Sequence, residues 1–498
     1  MIRRDFAAAA DKPHDLVIVG AGIHGITVAL EAAARGLRPL VVDRGDFGAM
    51  ASANTLRILH GGFRYLQSAD LGRFFRSVDQ RRWWFRTFPE LVSPLSCLMP
   101  LYGDGVRRPS VLRAAILAND VLSASRNRGV LPEAHIPRGR VVPAAETVRL
   151  FPGCRTQGLR GGAMWSDGSM DVAPRLAIEM LRWLVASGGT ALNYVAARRV
   201  RTSGGAVTGV TLQDMWTGQE HDVETALLVD ATGACSGSLL GVSGEGTSRP
   251  RLALAFNVLI RRRLDSQSAV AVSAGPGRPI RFLRPWGDLT FAGTAHETWS
   301  GPPSSGGPPR PPDPQVDRFL DELNQGIPSL RASREDVVRV FSGLLPAGED
   351  GVEPIHRPVV TDHGKKAGPR GLFSVLGEKY TTAPALARSV LDRIGSGSRH
   401  DGWDRLVRHR PEPRRWPLLS GPAPGRSVED ALSRHVDTLR DLVREESVQT
   451  AEDLLTRRLD WGLADVDLDE AAAAAARLGI TPREGPPRET LPRPSEDG

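Results

Sequence analysis

The chain has 498 residues, with 64 basic and 57 acidic side chains and a formal net charge of +7. Charged residues make up 24% and hydrophobic residues 41%, which excludes a disordered chain and leaves room for two or three domains. No apolar run approaches the roughly 18 residues of a membrane-spanning helix. The N-terminal apolar stretch is too short for a secretion signal, and the three cysteines match neither a disulfide framework nor a zinc site. We therefore expect a cytoplasmic protein that holds no metal.

The basic residues are sixty arginines and only four lysines, spread along the whole chain and often beside acidic residues. Nucleic-acid binding needs positive charge that is clustered on one face or interleaved with aromatic residues. The excess of arginine is therefore a compositional background, and we expect no nucleic-acid partner.

The first ordered signal is a strand that runs into a glycine-rich turn. In the run Asp15–Val19, the four residues after the acid are apolar and three of them are β-branched, as in a buried parallel strand. Three glycines follow with the spacing GxGxxG: Gly20, Gly22 and Gly25. A helix is predicted from Ile26 to Arg35, and a second strand, Leu37–Asp43, ends on an acid. This order of strand, turn, helix and strand predicts a Rossmann-like dinucleotide-binding unit.

Each part of this unit has a physical role. The glycines let the backbone approach a pyrophosphate at the helix N-terminus, and the Asp43 carboxylate can accept hydrogen bonds from the adenosine ribose hydroxyls. His24 occupies a variable position of the turn, so we expect it to be incidental. The motif by itself does not separate FAD from NAD.

The next segment carries a second motif. A loop with Ser52 and Thr55 leads into a basic residue and then into His60-Gly-Gly-Phe-Arg64-Tyr65-Leu66. Four further motifs follow in order: Leu227–Gly233, Ala292–Thr294, Phe341–Pro346 and Leu372–Thr382. Together they resemble the FAD-dependent glycerol-3-phosphate dehydrogenases and oxidases, a branch of the D-amino-acid-oxidase-like flavoprotein superfamily. Residues Val448–Trp461 are similar to the C-terminal helical domain of that family.

This resemblance implies FAD as cofactor and a mixed α/β fold. The fold would comprise a Rossmann-like FAD-binding domain, an antiparallel-sheet substrate domain and a C-terminal helical domain. We expect a flexible leader at 1–14, the oxidoreductase domain at 15–395, the helical domain at 400–480 and a disordered tail at 481–498. The FAD-binding pieces are expected at about 15–100, 190–240 and 340–395.

The resemblance also implies roles for single residues. His60 would be the general base that takes the substrate's hydroxyl proton, because imidazole titrates near neutral pH; a plain loop histidine and a covalent FAD attachment point are the alternatives. Lys379 would contact the cofactor and act in catalysis by stabilising negative charge on the reduced flavin, or it is an ordinary surface lysine. Arg64, Tyr65 and Glu378 would bind the substrate. The remaining expected cofactor contacts are Gly20, Gly22, Gly25, Asp43, Ser52, Thr55, Ala231, Gly233, Gly377 and Thr381.

Three segments depart from the family pattern. Leu345 stands where the family has an arginine, and the segment Ala255–Asn257 replaces a Gly-Ser-His segment. The closing motif, Gly377–Pro384, lacks a second arginine and carries Glu378. Since arginine is the preferred partner of a phosphate dianion, these changes argue against a phosphate ester. We expect oxidation of a secondary alcohol of a small polar molecule, such as a polyol, cyclitol or amino sugar, to a ketone by hydride transfer to flavin N5.

Other functions stay open at this point. The first is oxidation of an amine or amino acid at a C–N bond; the others are true glycerol-3-phosphate dehydrogenation and a non-catalytic flavoprotein. The electron acceptor would be a quinone or O2, and the protein could touch the inner face of a membrane. A stripe of apolar residues over Leu71–Phe85, flanked by arginines, could lie on an anionic bilayer, but such a stripe is more often core packing with a solvated face, which is the interpretation we favour.

Overall fold

The computed structural model describes residues 1–63, 65, 70–103, 105, 108–237, 250–275, 277–303, 307–377, 379–395, 402–414 and 427–480. Arg64, Glu378 and the tail 481–498, which have predicted roles or properties, lie outside the described residues.

The described residues form helices and strands in nearly equal measure. The helices are α1 Phe6–Ala10, α2 Ile23–Ala34, α3 Leu71–Thr87, α4 Pro109–Leu122, α5 Ala144–Leu150, α6 Ala173–Ala186, α7 Asp313–Gly326, α8 Ala383–Ile394, α9 Gly402–Arg408, α10 Val428–Ser433, α11 Val436–Glu445 and α12 Leu468–Arg477. The strands are β1 Leu16–Val19, β2 Pro39–Val42, β3 Ile58–Leu59, β4 Val92–Leu101, β5 Arg140–Val142, β6 Gly161–Met170, β7 Thr190–Leu192, β8 Val195–Ser203, β9 Ala206–Asp214, β10 Glu220–Glu224, β11 Leu228–Asp230, β12 Leu252–Ile260, β13 Ala269–Ser273, β14 Ile280–Trp286, β15 Leu289–Trp299, β16 Val337–Pro346, β17 Val359–Asp362 and β18 Leu372–Leu376. The predicted mixed α/β class is confirmed.

The first sheet has six strands in the order β17-β18-β11-β1-β2-β7. All neighbours are parallel except β17 and β18, which are antiparallel. All four residues of β1 are buried because this strand lies at the centre of the sheet, which explains its unbroken apolar run. Helix α2 begins at Ile23, three residues earlier than predicted, with Gly22 as its N-cap. It packs against α8 and α6, and nearly all of its side chains are buried.

The second sheet has nine strands and is mainly antiparallel. Its main path runs β16-β12-β15-β14-β13-β4-β6-β3, and β5 pairs with β6. Helix α7 covers one face, where Phe319 and Leu323 pack against Phe256 and Leu283. Two stretches inside the expected FAD-binding pieces, β3 to β4 and β16, contribute strands to this sheet instead. Period-2 apolar patterns identify strands but do not show which sheet each strand joins.

The first 14 residues differ from the flexible leader that we expect from the sequence. They contain α1, capped by the Asp5 side chain, and Ile2 is fully buried. Ile2 forms a bridge with Glu446, and Phe6 packs into the core beneath the first sheet. Apolar side chains at these two positions explain why the leader lies on the protein body.

Helices α10 to α12 and the π-helical turn Asp453–Arg458 form a separate apolar cluster. Its centre is Trp461, packed among leucine and alanine side chains. This agrees with the helical region that the sequence indicates near the C-terminus.

The apolar stripe of α3 lies mostly in the core. Phe74, Val78 and Phe85 are buried, which supports the core-packing interpretation, whereas Leu71 and Phe75 in the first turns are exposed. Within the described ranges, no helix has the length and apolarity needed to cross a bilayer.

Candidate functional site

The glycine-rich turn brings two backbone segments into direct contact. Gly20 has φ +102°, and a Cβ there would lie 2.6 Å from the carbonyl oxygen of Ala231 at the end of β11. A Cβ on Gly25 would lie 1.8 Å from the carbonyl oxygen of Gly20. Only glycine fits at either position, so the start of α2 can approach a ligand phosphate with its backbone.

Asp43 and Ser52 accept hydrogen bonds from backbone N–H groups at or near the start of α2. The Asp43 carboxylate accepts hydrogen bonds from the backbone N–H of Ala21 at 2.8 Å and of Gly45 at 3.0 Å. Burial raises the pKa of Asp43 to about 6. The Ser52 hydroxyl accepts the N–H of Ile23 at 2.9 Å, which holds the Ser52 loop against the first turn of the helix. Both predicted cofactor residues therefore lie at the N-terminus of α2.

The turn after β11 is shaped by the buried carboxylate of Asp230. This carboxylate accepts hydrogen bonds from the hydroxyls of Thr232 and Ser236 and from the N–H of Gly237. Gly233 has φ +62°, a left-handed conformation that favours glycine. The turn that contains Ala231 and Gly233 thus lies directly beside Gly20, as the predicted second flavin contact requires.

The closing motif lies against the same end of α2. A Cβ on Gly377 would meet the His24 ring at 2.0 Å, so this glycine makes room for the histidine. Burial lowers the pKa of His24 to about 4 and leaves it neutral, and its buried Nε2 has no hydrogen-bond partner among the described residues. The carbonyl of Thr381 accepts the indole N–H of Trp84 at 3.0 Å, which fixes the backbone just before α8. His24 is therefore a structural part of the site, not an incidental turn residue.

Lys379 and Tyr65, both predicted for the site, are neighbours. The Lys379 ammonium lies 4.6 Å from the centre of the Tyr65 ring, and the Arg73 guanidinium lies 4.2 Å from it. Arg73 also lies 3.3 Å from the Tyr65 hydroxyl, to which it donates a hydrogen bond. Tyr65 is buried between these groups. The two motifs, separated by more than 300 residues of chain, thus meet at one aromatic ring.

His60 follows β3 and lies beside a buried acid. Its Nδ1 is 3.1 Å from Oδ2 of Asp167 on β6. Asp167 Oδ1 accepts the N–H of Gly61 at 2.6 Å and the guanidinium of Arg81 at 3.1 Å. Burial alone would raise the pKa of Asp167, but the hydrogen bond with His60 and the neighbouring positive charges lower it to about 2. Asp167 is therefore ionised at any working pH.

The glycines of the His-Gly-Gly run make room for α3. A Cβ on Gly61 would lie 2.0 Å from Arg81 Nη1. Gly62 has φ +89°, and its Cβ would lie 2.9 Å from Ser77 Cβ. Arg81 is fixed by a bond to the carbonyl of Ser166 at 2.8 Å. This close packing holds the backbone on which His60 stands.

Three aromatic rings lie next to His60. Phe282 is 5.5 Å from the His60 ring, and Trp165 lies 6.3 Å from Phe282. Phe63 stacks on Trp165 at 5.6 Å. All three are only half-buried. They form an aromatic wall, Phe63–Trp165–Phe282, beside the candidate base.

Two of the three departures from the family pattern, Leu345 and Ala255–Asn257, lie on neighbouring strands of the second sheet. In the register of β12 and β16, Ala253 pairs with Leu345 and Ala255 with Gly343. A Cβ on Gly343 would lie 2.9 Å from Ala51, so this face of the sheet contacts the loop that holds Ser52. Leu345, two residues further on, lies on the same face.

Asn257 ties this face to the same loop. Its amide donates to the carbonyl of Asn54 at 2.8 Å and accepts the Thr294 hydroxyl at 2.8 Å. Thr55, further along the loop, accepts the N–H of Arg57 at 2.8 Å. Thr55 therefore shapes the turn that leads into β3.

Asp46, three residues after Asp43, joins the site to the C-terminal segment. Its carboxylate accepts from the buried guanidinium groups of Arg457 and Arg458 at 2.7 Å each. Nothing in the local sequence indicated these partners, because more than 400 residues separate them from Asp46.

Two residues of the site, Asp167 and Arg81, were not predicted from the sequence. The run Trp165-Ser-Asp167-Gly places an acid inside a strand pattern, and this was the one signal that could have drawn attention to Asp167. Arg81 is one of several arginines of α3, and its sequence context does not distinguish it from the others.

The described residues fit FAD. The glycine cradle, the carboxylate of Asp43 and the unpartnered Nε2 of His24 lie around the N-terminus of α2, where a pyrophosphate binds. Gly22 would let the backbone approach the pyrophosphate, Gly20 and Gly25 would allow the close packing of the turn that holds it, and Asp43 would face the ribose. The Ser52 loop and the segment from Gly377 to Thr381 would flank the cofactor.

Comparison with known proteins supports FAD as the cofactor. The family model for FAD-dependent oxidoreductases matches residues 15–393. A glycerol-3-phosphate dehydrogenase of Synechocystis sp. is 26% identical over 459 residues, which cover 87% of this chain and 78% of that protein. Glycerol-3-phosphate dehydrogenase 1 of Mycobacterium tuberculosis is 27% identical over an alignment of 508 positions, gaps included. The alignment covers 96% of this chain and 94% of that protein.

The fold is also similar to a solved structure. The glycerol-3-phosphate dehydrogenase from Bacillus halodurans, complexed with FAD, aligns with a TM-score of 0.67 and 19% identity over 95% of this chain and 92% of that chain. The expected cofactor and enzyme class are confirmed. This chain belongs to the family of FAD-dependent oxidoreductases.

Proposed function

We propose that this flavoenzyme oxidises a secondary alcohol of a small polar, non-phosphorylated molecule, such as a polyol, cyclitol or amino sugar, to a ketone. The observation that carries the proposal is the setting of His60, whose side chain is 40% exposed while its Nδ1 is held by a buried carboxylate. When bound, FAD takes up the hydride at N5. His60 takes the proton of the substrate hydroxyl and acts as the general base.

The arginines of the second sheet support a substrate without a phosphate. Phosphate recognition calls for open guanidinium groups that can donate two hydrogen bonds. Arg284, on the same face of β14 as Phe282, donates to the Ser169 hydroxyl at 3.0 Å and is buried. Arg339 on β16 donates to the carbonyl of Gly462 at 2.6 Å. With Leu345 in place of the family's arginine, these strands offer a phosphate little cationic surface.

The pair Lys379 and Tyr65 supports binding of a hydroxylated substrate. Lys379 would hold a substrate oxygen or stabilise negative charge near the cofactor. Tyr65 orients the ammonium through its ring, since the two groups lie 4.6 Å apart. We propose that Lys379 is catalytic and that Tyr65 lines the substrate pocket.

The aromatic wall Phe63–Trp165–Phe282 favours a second candidate function, oxidation of an amine. Aromatic faces attract cationic groups and also cover apolar ones. An amino sugar would satisfy both candidates, because it carries a secondary alcohol and an ammonium group. The two reactions differ in their products, since C–N oxidation followed by hydrolysis releases ammonia.

For the electron acceptor we propose a quinone at a membrane surface, reached through helix α4. This helix buries Leu112 and Ile116 but exposes Leu117 and Val121 at 66% each. Exposed Arg108 and Arg113 lie on the same helix or beside it. An apolar face with flanking positive charge suits an anionic bilayer.

Co-sedimentation with phosphatidylglycerol vesicles tests this contact. Wild-type protein should pellet with the vesicles at low salt, and L117E/V121E should stay in the supernatant. The matched control V407E changes an exposed valine on α9 and should pellet normally. Equal sedimentation of all three proteins, or of none, rejects the α4 surface, and rapid peroxide production in air would favour O2 as acceptor.

The central experiment is anaerobic mixing of the holoenzyme with a compound panel while flavin absorbance is recorded. The panel contains glycerol, sorbitol, myo-inositol, glucosamine, glycine, proline and glycerol 3-phosphate. Bleaching by a polyol, cyclitol or amino sugar, with a ketone product and no ammonia, supports the proposal. Ammonia release supports amine oxidation, and turnover of glycerol 3-phosphate with a low-micromolar KM rejects a non-phosphorylated substrate.

A further inference from the structure

The chemistry of a histidine base depends on which ring nitrogen carries the proton. A neutral imidazole has one N–H and one lone pair, and the hydrogen bond made by one nitrogen decides the state of the other. To take a proton from an alcohol, the accessible nitrogen must hold the lone pair. The opposite nitrogen must then donate its N–H to an acceptor.

Asp167 provides such an acceptor for His60. Oδ2 lies 3.1 Å from Nδ1, and the carboxylate is 5% exposed, against 40% for the His60 side chain. His60 Nε2 has no hydrogen bond to any of the described residues. The buried edge of the ring is therefore engaged, and the other edge is free for a substrate.

The carboxylate is itself held in one orientation. Oδ1 accepts both the Gly61 N–H at 2.6 Å and Arg81 at 3.1 Å, and Oδ2 also accepts the indole N–H of Trp165 at 3.3 Å. These donors come from the His60 turn, from α3 and from Asp167's own strand, β6. Four hydrogen bonds from three elements leave the carboxylate little freedom to rotate.

We propose that Asp167 is the positioning residue of the reaction: it holds His60 with the proton on Nδ1 and the lone pair on Nε2, aimed at the substrate hydroxyl. This inference rests on the proposed role of His60 as general base. During turnover the alcohol proton moves to Nε2, and the Asp167 carboxylate stabilises the imidazolium that forms. The hydride of the same carbinol carbon leaves to the cofactor, so the alcohol loses two electrons and two hydrogens to become a ketone.

The geometry makes Asp167→Asn a sharp test. Gly61 and Arg81 both donate to Oδ1, so the amide oxygen must take that position. The amide nitrogen then faces Nδ1 of His60 and donates to it. A ring nitrogen that accepts carries no proton, so the proton moves to Nε2 and the base is lost, although the side chain keeps its size. The exchange also removes the acceptor of the Trp165 indole N–H, the weakest of the four hydrogen bonds at 3.3 Å.

The first readout is the tautomer of His60 in FAD-loaded protein labelled with 15N-histidine. Its signals are identified by their loss in His60→Asn. We expect a protonated Nδ1 and an unprotonated Nε2 in the wild type, and the reverse in Asp167→Asn. The matched control is Asp120→Asn on α4, where the carboxylate is held by the Gly139 N–H and by Arg126; it should resemble the wild type. A wild-type proton on Nε2, or an unchanged tautomer in Asp167→Asn, overturns the proposal.

The second readout is flavin reduction by the panel compound that bleaches the wild-type holoenzyme fastest. Asp167→Asn should reduce the rate on the order of 10²- to 10⁴-fold, the usual contribution of a general base, in protein that keeps its flavin. Its Tm should fall, because the buried Arg81 guanidinium loses its counter-charge, so the rate is measured well below that Tm. In protein that already carries His60→Asn, adding Asp167→Asn should not lower the rate of flavin reduction further, because both changes remove the same function. If Asp167→Asn lowers the rate by the same factor in the His60→Asn protein as in the wild type, the proposal is overturned.

The two readouts also separate this inference from the proposed function. If no panel compound reduces the wild-type flavin, the proposed function fails, and the tautomer measurement alone decides on Asp167. If the alcohol reacts and His60→Asn has no effect, the base is wrong and Asp167 has no positioning role.

Discussion

Arg57 and Asp460 form a buried, two-point ion pair that joins the start of β3 to the C-terminal segment. Both guanidinium Nη atoms donate to the carboxylate at 2.5 Å, and each side chain is 1% exposed. The residues are 403 positions apart in the chain. Arg57 follows the Ser52–Thr55 loop directly, so the C-terminal segment holds the loop that we assign to the cofactor.

Breaking the ion pair between Arg57 and Asp460 should weaken the binding of FAD. Asp460→Asn leaves a buried guanidinium without its counter-charge, which costs about 3–5 kcal/mol in comparable sites. We expect a lower Tm and release of flavin, followed by the rise in flavin fluorescence on heating. The control is Asp465→Asn, which breaks the exposed pair with Arg261 in the same region and should cost about 0–1 kcal/mol. Equal Tm values for the two variants would contradict the assigned role of Arg57 and Asp460.

FAD affinity should depend on pH through Asp43. Burial raises the pKa of this carboxyl to about 6 in the protein without cofactor, whereas ribose hydroxyls favour its ionised form. Binding therefore releases a proton below about pH 6, and affinity should fall as pH decreases from there, by about tenfold per pH unit at most. Above about pH 6 the affinity for FAD should not change with pH, because Asp43 is already ionised in the protein without cofactor.

Flavin-fluorescence titrations between about pH 5 and 8 measure this dependence. Asp43→Asn should bind FAD more weakly at high pH and lose the slope. The folded-state pKa lies above the unfolded value, so the carboxylate opposes stability of the apoprotein above about pH 6, and this penalty disappears as pH falls. A slope that persists in Asp43→Asn would assign the titration to another group.

Gly25→Ala should abolish cofactor binding. The added Cβ would lie 1.8 Å from the Gly20 carbonyl oxygen, so the turn and the start of α2 must separate. We expect protein purified without flavin and with reduced Tm. Gly275→Ala is the control, since its Cβ would meet no atom within 4 Å and its φ is not positive, and it should retain both flavin and Tm.

His60→Asn should remove flavin reduction by the substrate but keep the flavin. A general base contributes on the order of 10²- to 10⁴-fold, and the Asn side chain keeps polarity without accepting a proton. Flavin content is measured by absorbance, and acid precipitation shows whether the flavin stays with the protein. Flavin that co-precipitates with the wild type, but not with the variant, would identify His60 as an attachment point instead.

Leu345→Arg should improve turnover of glycerol 3-phosphate. Leu345 pairs with Ala253 across β12 and β16, on the face that contacts the Ser52 loop. An arginine there restores the cation expected to bind a phosphate, so the KM for glycerol 3-phosphate should fall and that for the uncharged substrate should rise. Leu345→Gln is the uncharged control. The same KM change in both variants would show that charge at this position does not select the substrate.

Part of the site could be predicted because its signals are local. Gly20, Gly25 and Asp43 lie within one strand, turn, helix and strand, and each has a backbone or charge role that its neighbours in sequence explain. The local sequence does not explain why position 61 is a glycine. It makes room for Arg81, whose position depends on how α3 packs against β6.

The partners of charged residues were the least predictable. His60 and Asp167 are 107 positions apart, and Asp46 and Arg458 are 412 apart. Such pairs form where sheet register and helix packing bring distant segments together, and a single sequence carries no signal of that distance. For the same reason, β16 was expected in the FAD-binding pieces but joins the second sheet.

By itself, the sequence determined the dinucleotide-binding unit, because glycines and an acid at fixed spacing act through the local backbone. FAD as the cofactor was implied by the resemblance of the later motifs to a known family. Only the tertiary structure decided how His60 is held. The carboxylate that orients it, the arginine that fixes this carboxylate and the segment that holds the cofactor loop come from three separate parts of the chain. Their hydrogen bonds are strong because folding buries them together, away from water.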